Sequence, residues 1–324
     1  MLSPLATYMT GRPAFKRGAI EHILSQNFDV IHWHNLSLIG GHAALRCGQA
    51  VKLCTLHDYW LMCPTSILFR YNREVCSKKT CVRCSLAHGR PPQLWRAGDL
   101  WKGSLLHVDR FLAPSRFVRD IFRKSDLGID ATVLPHFVPQ AAGIRTGWDA
   151  ADRSYYLVAS RLEKAKGIQT ILPLFRDANR RLLIAGAGNY EQELRRQAGN
   201  CSQIEFLGRI PHERLGGFYA GARATLVPSI CQETFGLTIL ESLQQGTPVI
   251  ASNFGALPEV VADTEGGVVY RDIADLESML RKFDNDGEYA RALGLSGQAR
   301  VGKYGAEAHL RMYLGIVEEE LSGR

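Results

Sequence analysis

No stretch of this 324-residue sequence holds the roughly 18–20 consecutive apolar residues a bilayer-spanning helix needs, so a membrane-integral fold is not expected. The opening residues, "MLSPLATYMTGRPAFKRG", lack a continuous apolar core of the signal-peptide kind, and a cytoplasmic location is the expectation. Low-complexity tracts are missing too, which argues against a disordered or fibrous chain. No RNP, zinc-finger or helix-turn-helix pattern occurs, so no nucleic acid partner is expected. Of the G-x-G-x-x-G fingerprint only Gly186 and Gly188 are present; Glu191 stands in the third place, which speaks against a Rossmann dehydrogenase.

What is present is the composition of a globular protein, hydrophobic 46% and charged 22%, long enough for two α/β domains. The net charge of +7 is unevenly spread: residues 1–150 hold 19 Lys+Arg against 10 Asp+Glu, the rest 20 against 22. A basic first half suits an anionic ligand or an anionic membrane face, or is ordinary solvated surface. Short β-rich runs alternate with helical ones throughout, as in parallel sheets with crossover helices. "DVIHWH" (29–34), "VKLCTL" (51–56), "RFLAPS" (110–115) and "TVLP" (132–135) are the strand candidates of the first half. "YYLVAS" (155–160), "RLLIAG" (181–186), "IEFLG" (204–208), "ATLVPS" (224–229), "TPVIAS" (247–252) and "GVVY" (267–270) are those of the second. The expected division is a partial first domain over 1–139, a linker over 140–154, a second domain over 155–305 and a closing helix over 306–324 that packs back on the first. Because the first half offers about four strands, it is expected to lack the start of its domain.

The densest chemistry follows the fourth strand of the second half. "ATLVPS" runs into the loop "ICQETFG", and the helix "LTILESLQQ" starts at its glycine, with Leu237, Leu240 and Leu243 expected to pack it on the sheet. In parallel α/β sheets ligands bind beyond the carboxyl ends of strands, and a helix N-terminus there favours phosphate. Glu233 and Glu241 bracket that helix start. Carboxylates beside phosphate would repel it, so they are read as acceptors for hydroxyls, one of a sugar and one of a ribose.

This pattern resembles the E-x7-E signature of the family 4 (group 1) retaining glycosyltransferases, which have the GT-B fold: two Rossmann-like doubly wound α/β domains facing across a cleft. "ASRLEKAKGIQTIL", "LLIAGAGNYEQELR", "IEFLGRIPHERLGGFYAGARATLVPS" and "GTPVIASNFGALPEVV" are similar to further family segments, in order, as are "DVIHWHN", "TLHDYW" and "FLAPSRFVRDIF" in the first half. The likeness covers about residues 28 to 270. It implies an enzyme moving a hexose from a nucleotide-diphosphate sugar, most often a UDP-sugar, to a hydroxyl of a saccharide or lipid-linked acceptor, with retention and without a catalytic metal. Arg161 and Lys166 would hold the diphosphate, Glu233 the sugar hydroxyls and Glu241 the ribose. Backbone around Gly186, Thr234, Phe235, Gly236 and Leu237 would meet sugar and phosphate, Arg209 and Ile210 would read the base edge, and His57 would lie near the sugar. The missing front end is where the pattern departs from the family; a truncated or partner-completed nucleotide-sugar binder is the alternative it leaves open.

Two motifs are set aside. "DND" (284–286) imitates a metal-binding Asp-x-Asp but reads as a turn with a helix cap. "GQARVGKY" (297–304) ends in Tyr304 where a P-loop needs Ser or Thr. Cys63, Cys76, Cys81 and Cys84 gather in one segment whose "CVRC" spacing suits a structural zinc, with free thiols or a disulfide as the other readings. Trp95 and Trp101 among Arg96 and Lys102 suit a peripheral contact with an anionic membrane, at the inner face, the lining of an acceptor groove, or plain packing.

Overall fold

The computed structural model describes residues 2–12, 17–37, 41–99, 101–139, 153–176 and 179–323. The expected linker lies outside them except for Arg153 and Ser154. The chain divides into two compact units, Met1–Pro135 with Leu310–Arg324, and His136–His309.

The first unit carries a four-stranded sheet of order β1-β2-β5-β6, formed by β1 (Val30–Trp33), β2 (Val51–Thr55), β5 (Arg110–Ala113) and β6 (Ala131–Val133). All its pairings are parallel. Between β2 and β5 a two-stranded hairpin, β3 (Phe69–Arg70) with β4 (Glu74–Val75), interrupts the alternation. Alternate residues of a strand face opposite sides, and the sheet is apolar on both. Cys54, Phe111 and Ala113 join Trp33, Val118 and Phe122 on one face. On the other, Val51, Leu53, Leu112 and Leu134 pack against Ile316 of the closing helix Ala306–Ser322. That helix is anchored further by Tyr313, stacked on His32 at 5.2 Å, and by Glu320, which accepts from Arg110 Nε at 2.6 Å.

The second unit is a six-stranded, wholly parallel sheet of order β12-β11-β10-β7-β8-β9. Its strands are β7 (Tyr155–Ala159), β8 (Arg181–Ala185), β9 (Ile204–Gly208), β10 (Ala222–Val227), β11 (Val249–Ser252) and β12 (Gly267–Tyr270). From its edge the order runs third, second, first, fourth, fifth, sixth, so the winding reverses between β7 and β10. Connections on either side of that point leave in opposite directions and open a crevice at the strands' carboxyl ends.

The helix Leu237–Gln244 follows β10 and begins at Gly236, whose φ of 119° is open to glycine and costly to other residues. Ile239, Leu240 and Leu243 are fully buried on the sheet, whereas Leu237 is 41% exposed. The expectation that Leu237 packs this helix is therefore corrected. As the first helical residue its Cβ leans past the helix start, away from the sheet, and Ile239 takes its place. Asp286 caps the helix Gly287–Arg300 by accepting from the Tyr289 N–H at 2.9 Å, and Asp284 accepts from Tyr156 and from Arg180 and Arg223, so "DND" serves packing and capping.

Candidate functional site

At the reversal of the second sheet lies a cavity of about 460 Å³. It is built from the strand ends upward. Ala159, Ser160 and Arg161 come from the end of β7, Ala185, Gly186 and Ala187 from the end of β8, and Arg209 and Ile210 from just after β9. Leu215 and Tyr219 of the helix His212–Ala220 and Glu241 of the helix Leu237–Gln244 complete it. Five of the residues singled out from sequence thus share one crevice: Arg161, Gly186, Arg209, Ile210 and Glu241. Gly186 is there for a steric reason. Its φ is 138°, and a Cβ on it would lie 1.8 Å from the Ser160 carbonyl oxygen, so only glycine lets β7 and β8 end this close together.

Lys166 and Glu233 meet each other. Lys166 Nζ donates to Glu233 Oε1 at 2.6 Å, and the Ser229 hydroxyl donates to the same oxygen at 2.5 Å. Both charged side chains are less than one-fifth exposed, and partial desolvation strengthens such a pair relative to one in water. Their loops are zipped together: Ile230 N–H donates to the Ala165 carbonyl at 2.9 Å, and Gly167, with φ 70°, presses its Cα side onto the Pro228 carbonyl. From the other side Gly255 sits against the Glu233 backbone, where a Cβ would meet backbone atoms at 2.2–2.3 Å, while Ala256 N–H donates to the Glu233 carbonyl. Between the loops Cys231 is buried, its thiol pushed up to about 12 by burial and then by the Glu233 charge. Arg161, 68% exposed, turns to Glu163 at 2.7 Å.

Thr234, Phe235 and Gly236 bridge Glu233 to the helix start. The Phe235 ring is buried, edge-on to His136 and Tyr304, so this side chain is core and only its backbone could meet a ligand.

His57 belongs to the first unit, just past β2. Its Nε2 lies 2.7 Å from His34 Nδ1, past the end of β1, and the two rings stack at 5.0 Å. Burial first, and the neighbouring His34 second, hold His57 down at about 4, so His57 is neutral at physiological pH and one ring nitrogen of the pair donates to the other. They line a small cavity of about 30 Å³ with Asn35, Thr55 and Asp58. The Asp58 carboxylate accepts from the Trp60 N–H at 2.7 Å and shapes the turn behind it.

The zinc expectation meets a different arrangement. Among the described residues no group of three or more His, Cys, Asp or Glu side chains could hold a metal ion. Each thiol but one is engaged locally: Cys63 with the Thr65 hydroxyl at 3.2 Å, Cys84 with the Tyr71 N–H at 3.4 Å, and Cys76 with the Lys78 carbonyl at 3.7 Å. Cys81 opens the helix Cys81–Ala87, and all four are free thiols. Arg96 is caged by Trp60, Trp95 and Trp101, with ring centroids 4.3–5.5 Å from its guanidinium, and it donates to the Trp60 and Leu61 carbonyls; it packs rather than projects. No described helix is long and apolar enough to cross a membrane.

Sequence reasoning missed Ser229, Tyr219, His34 and Gly255. Ser229 closes "ATLVPS", and the rule that ligands collect at strand ends would have found it. His34 sits likewise beyond β1. Tyr219 and Gly255 carry no local signal, because their roles depend on partners 22 residues away in sequence.

Residues 147–300 match the family model described as glycosyl transferases group 1, and residues 3–141 match the one described as glycosyltransferase family 4. Among curated proteins the chain is 30% identical over 198 residues to an alpha-monoglucosyldiacylglycerol synthase of Streptococcus pneumoniae, covering 55% of this chain and 45% of that one. It is 35% identical over 128 residues to a GDP-mannose-dependent monoacylated alpha-(1-6)-phosphatidylinositol monomannoside mannosyltransferase of Corynebacterium glutamicum, covering 37% of this chain and 34% of the relative. The matched stretches therefore span less than half the length of these relatives. Among solved structures, that of Anabaena HepE in complex with UDP superposes with a TM-score of 0.67 at 15% identity, over 93% of this chain and 81% of the other.

Proposed function

As the chain belongs to the family 4, group 1 glycosyltransferases and has their GT-B fold, we propose that it transfers a hexose, with retention, from a UDP-sugar to a hydroxyl of a saccharide or lipid-linked acceptor. The observation that carries this is the crevice that Arg161 and Glu241 line at the reversal of the second sheet, with Lys166 paired to Glu233 on the loops that follow β7 and β10. A departing diphosphate gathers negative charge. Cations fixed beforehand offset that charge with little reorganisation, which is where such sites gain most of their rate. Lys166 is fixed by Glu233, and Arg161 needs only to leave an exposed pair with Glu163, worth little in water.

In this reading Glu233 keeps one oxygen for Lys166 and Ser229 and offers the other to donor-sugar hydroxyls. Glu241 accepts from the ribose, the backbone at Arg209 and Ile210 meets the base, and the helix that starts at Gly236 turns its N-terminus to phosphate. To His57 the reading assigns, by family resemblance alone, support of the reaction near the sugar; a neutral imidazole can share a proton with a hydroxyl. UDP is favoured over GDP by the structural neighbour solved with UDP, while the mannosyltransferase relative named for GDP-mannose supplies the competing donor. The glycolipid names among the relatives support a lipid-linked acceptor, reached from a membrane face by the basic first half.

Calorimetry with UDP and GDP, followed by NMR of the anomeric proton of the sugar transferred from UDP-glucose and GDP-mannose, tests this. Nucleotide binding lost on the order of 100-fold in Lys166→Ala is the expected result. A variant that binds as the parent does removes the reading. Binding without any turnover of either donor leaves a nucleotide-sugar binder instead of a transferase.

A further inference from the structure

Tyr219 has no part in the reaction as proposed, yet its phenol is the one side chain bonded to Glu241 among the described residues. The ring lies near the end of the helix His212–Ala220 and is 2% exposed. Its hydroxyl donates to Glu241 Oε2 at 2.7 Å. Burial, and then the Glu241 charge, push the phenol well above its ordinary value, so its single proton stays on and points at the carboxylate. The phenol also touches the hydroxyl of Thr238, one turn ahead of Glu241 on the same helix, and Thr238 in turn reaches the Ala159 carbonyl at the end of β7 at 3.3 Å. The backbone behind the ring is pinned by the Thr247 hydroxyl, which donates to the Tyr219 carbonyl at 2.7 Å.

This arrangement settles the orientation of a carboxylate. An unrestrained Glu samples several rotamers, and part of any hydrogen bond it gives a ligand is lost in ordering it. Here Oε2 is committed to Tyr219, and the plane of the group is set before a ligand arrives. Oε1 has no donor among the described residues, and Glu241 lines the crevice.

We propose that Tyr219 is a positioning residue that gives the crevice its preference for ribonucleotides over 2′-deoxyribonucleotides, by aiming Glu241 at the ribose hydroxyls. The proposal rests on the reading of this crevice as the nucleotide end of a donor site. Without the phenol, Glu241 still reaches the ligand but no longer meets the sugar hydroxyls with an oxygen held in one place.

The test titrates UDP and 2′-deoxy-UDP by calorimetry into the full chain, Tyr219→Phe and Glu241→Ala, with thermal unfolding of each. The parent is expected to favour UDP by about tenfold or more, as sites built to hydrogen-bond a hydroxyl do. Tyr219→Phe should shrink that ratio to about twofold while 2′-deoxy-UDP keeps its parental affinity. If the ratio persists, or both nucleotides weaken alike, Tyr219 is merely structural and the proposal fails with the donor-site reading intact. Should Glu241→Ala keep the parental ratio, or the parent bind neither nucleotide, the donor-site reading itself falls and takes the proposal with it. Thr238→Val, which removes the hydroxyl beside the phenol, serves if Tyr219→Phe does not fold; it should narrow the ratio about twofold, and an unchanged ratio counts against the proposal.

Discussion

The four-stranded and six-stranded sheets each bury apolar residues on both faces, and each carries polar groups just past its strands' carboxyl ends. What those groups do there differs. Beyond β1 and β2, His34 and His57 hydrogen-bond to each other, burial holds His57 neutral, and the two line a cavity of about 30 Å³. Beyond β7, β8 and β9 the groups are charged, and the cavity is about 460 Å³. Burial decides the contrast. A half-buried imidazole can shed its proton and lower its cost, whereas the charged groups of the second unit are met by a partner or by water: Lys166 pairs with Glu233, Glu241 accepts from Tyr219, and Arg161 is 68% exposed. A charged, roomy crevice suits an anion that must be gripped; a neutral imidazole in a tight space suits a hydroxyl that must be approached.

The sharpest way to break this contrast is to close the larger crevice from beneath. Gly186→Ala places a Cβ 1.8 Å from the Ser160 carbonyl at a φ of 138°. Neither the overlap nor the backbone angle can relax without parting β7 from β8, and a loss on the order of 3 kcal/mol or more is expected. Thermal unfolding should show the drop, with nucleotide affinity falling alongside. A melting temperature within a degree of the parent would mean that the strand ends are looser than drawn.

Ser229→Ala is gentler. It takes one of two donors from Glu233 Oε1 and leaves Lys166 in place. A hydrogen bond to a charged group contributes about 1.5–3 kcal/mol at most in such sites, and with the ion pair intact roughly a fivefold fall in kcat/KM for the sugar donor is expected. Since Ser229 acts through Glu233, the affinity for UDP alone should move less than twofold. An equal loss for UDP and UDP-sugar would place Ser229 at the phosphate rather than at the sugar carboxylate.

How far these parts could be read beforehand follows the range of the forces involved. The strands, from "DVIHWH" to "GVVY", announce themselves because alternation and β-branched runs are local. The Glu233–Glu241 pair is legible because the helix start lies between them. The Lys166–Glu233 contact, 67 residues apart, was not legible: resemblance to a family gave each residue its own role at one site, and no local pattern links them. Tyr219 gave no signal at all: an aromatic on an amphipathic helix looks like core, and core is what its ring is, while its hydroxyl does something else. The cysteines show what spacing alone leaves open. "CVRC" has the spacing of a metal knuckle, but the hairpin β3–β4 and the helix Cys81–Ala87 give the thiols other partners. The left-handed backbone at Ser66, Leu68, Tyr71 and Asn72, which shapes that segment, has no glycine to betray it.

The smallest expected effect concerns the first unit and pH. His57 and His42 are both held at about 4, below the ordinary imidazole value near 6.5, chiefly by burial. Between those values the unfolded chain binds protons that the folded chain refuses, so stability rises with pH through the window and is lost on acidification from about 6.5 to about 4. Below that both states are protonated and these two groups add nothing further. Asp58, raised by burial, works the other way near the bottom of the window and blunts the fall. Melting temperatures taken from pH 7 to pH 4 at constant ionic strength should decline by a few degrees, and His57→Asn should flatten part of that slope while leaving UDP affinity within twofold. A slope that His57→Asn and His42→Gln together leave untouched would assign the acid sensitivity to the charged crevice of the second unit, and reverse the comparison of the two.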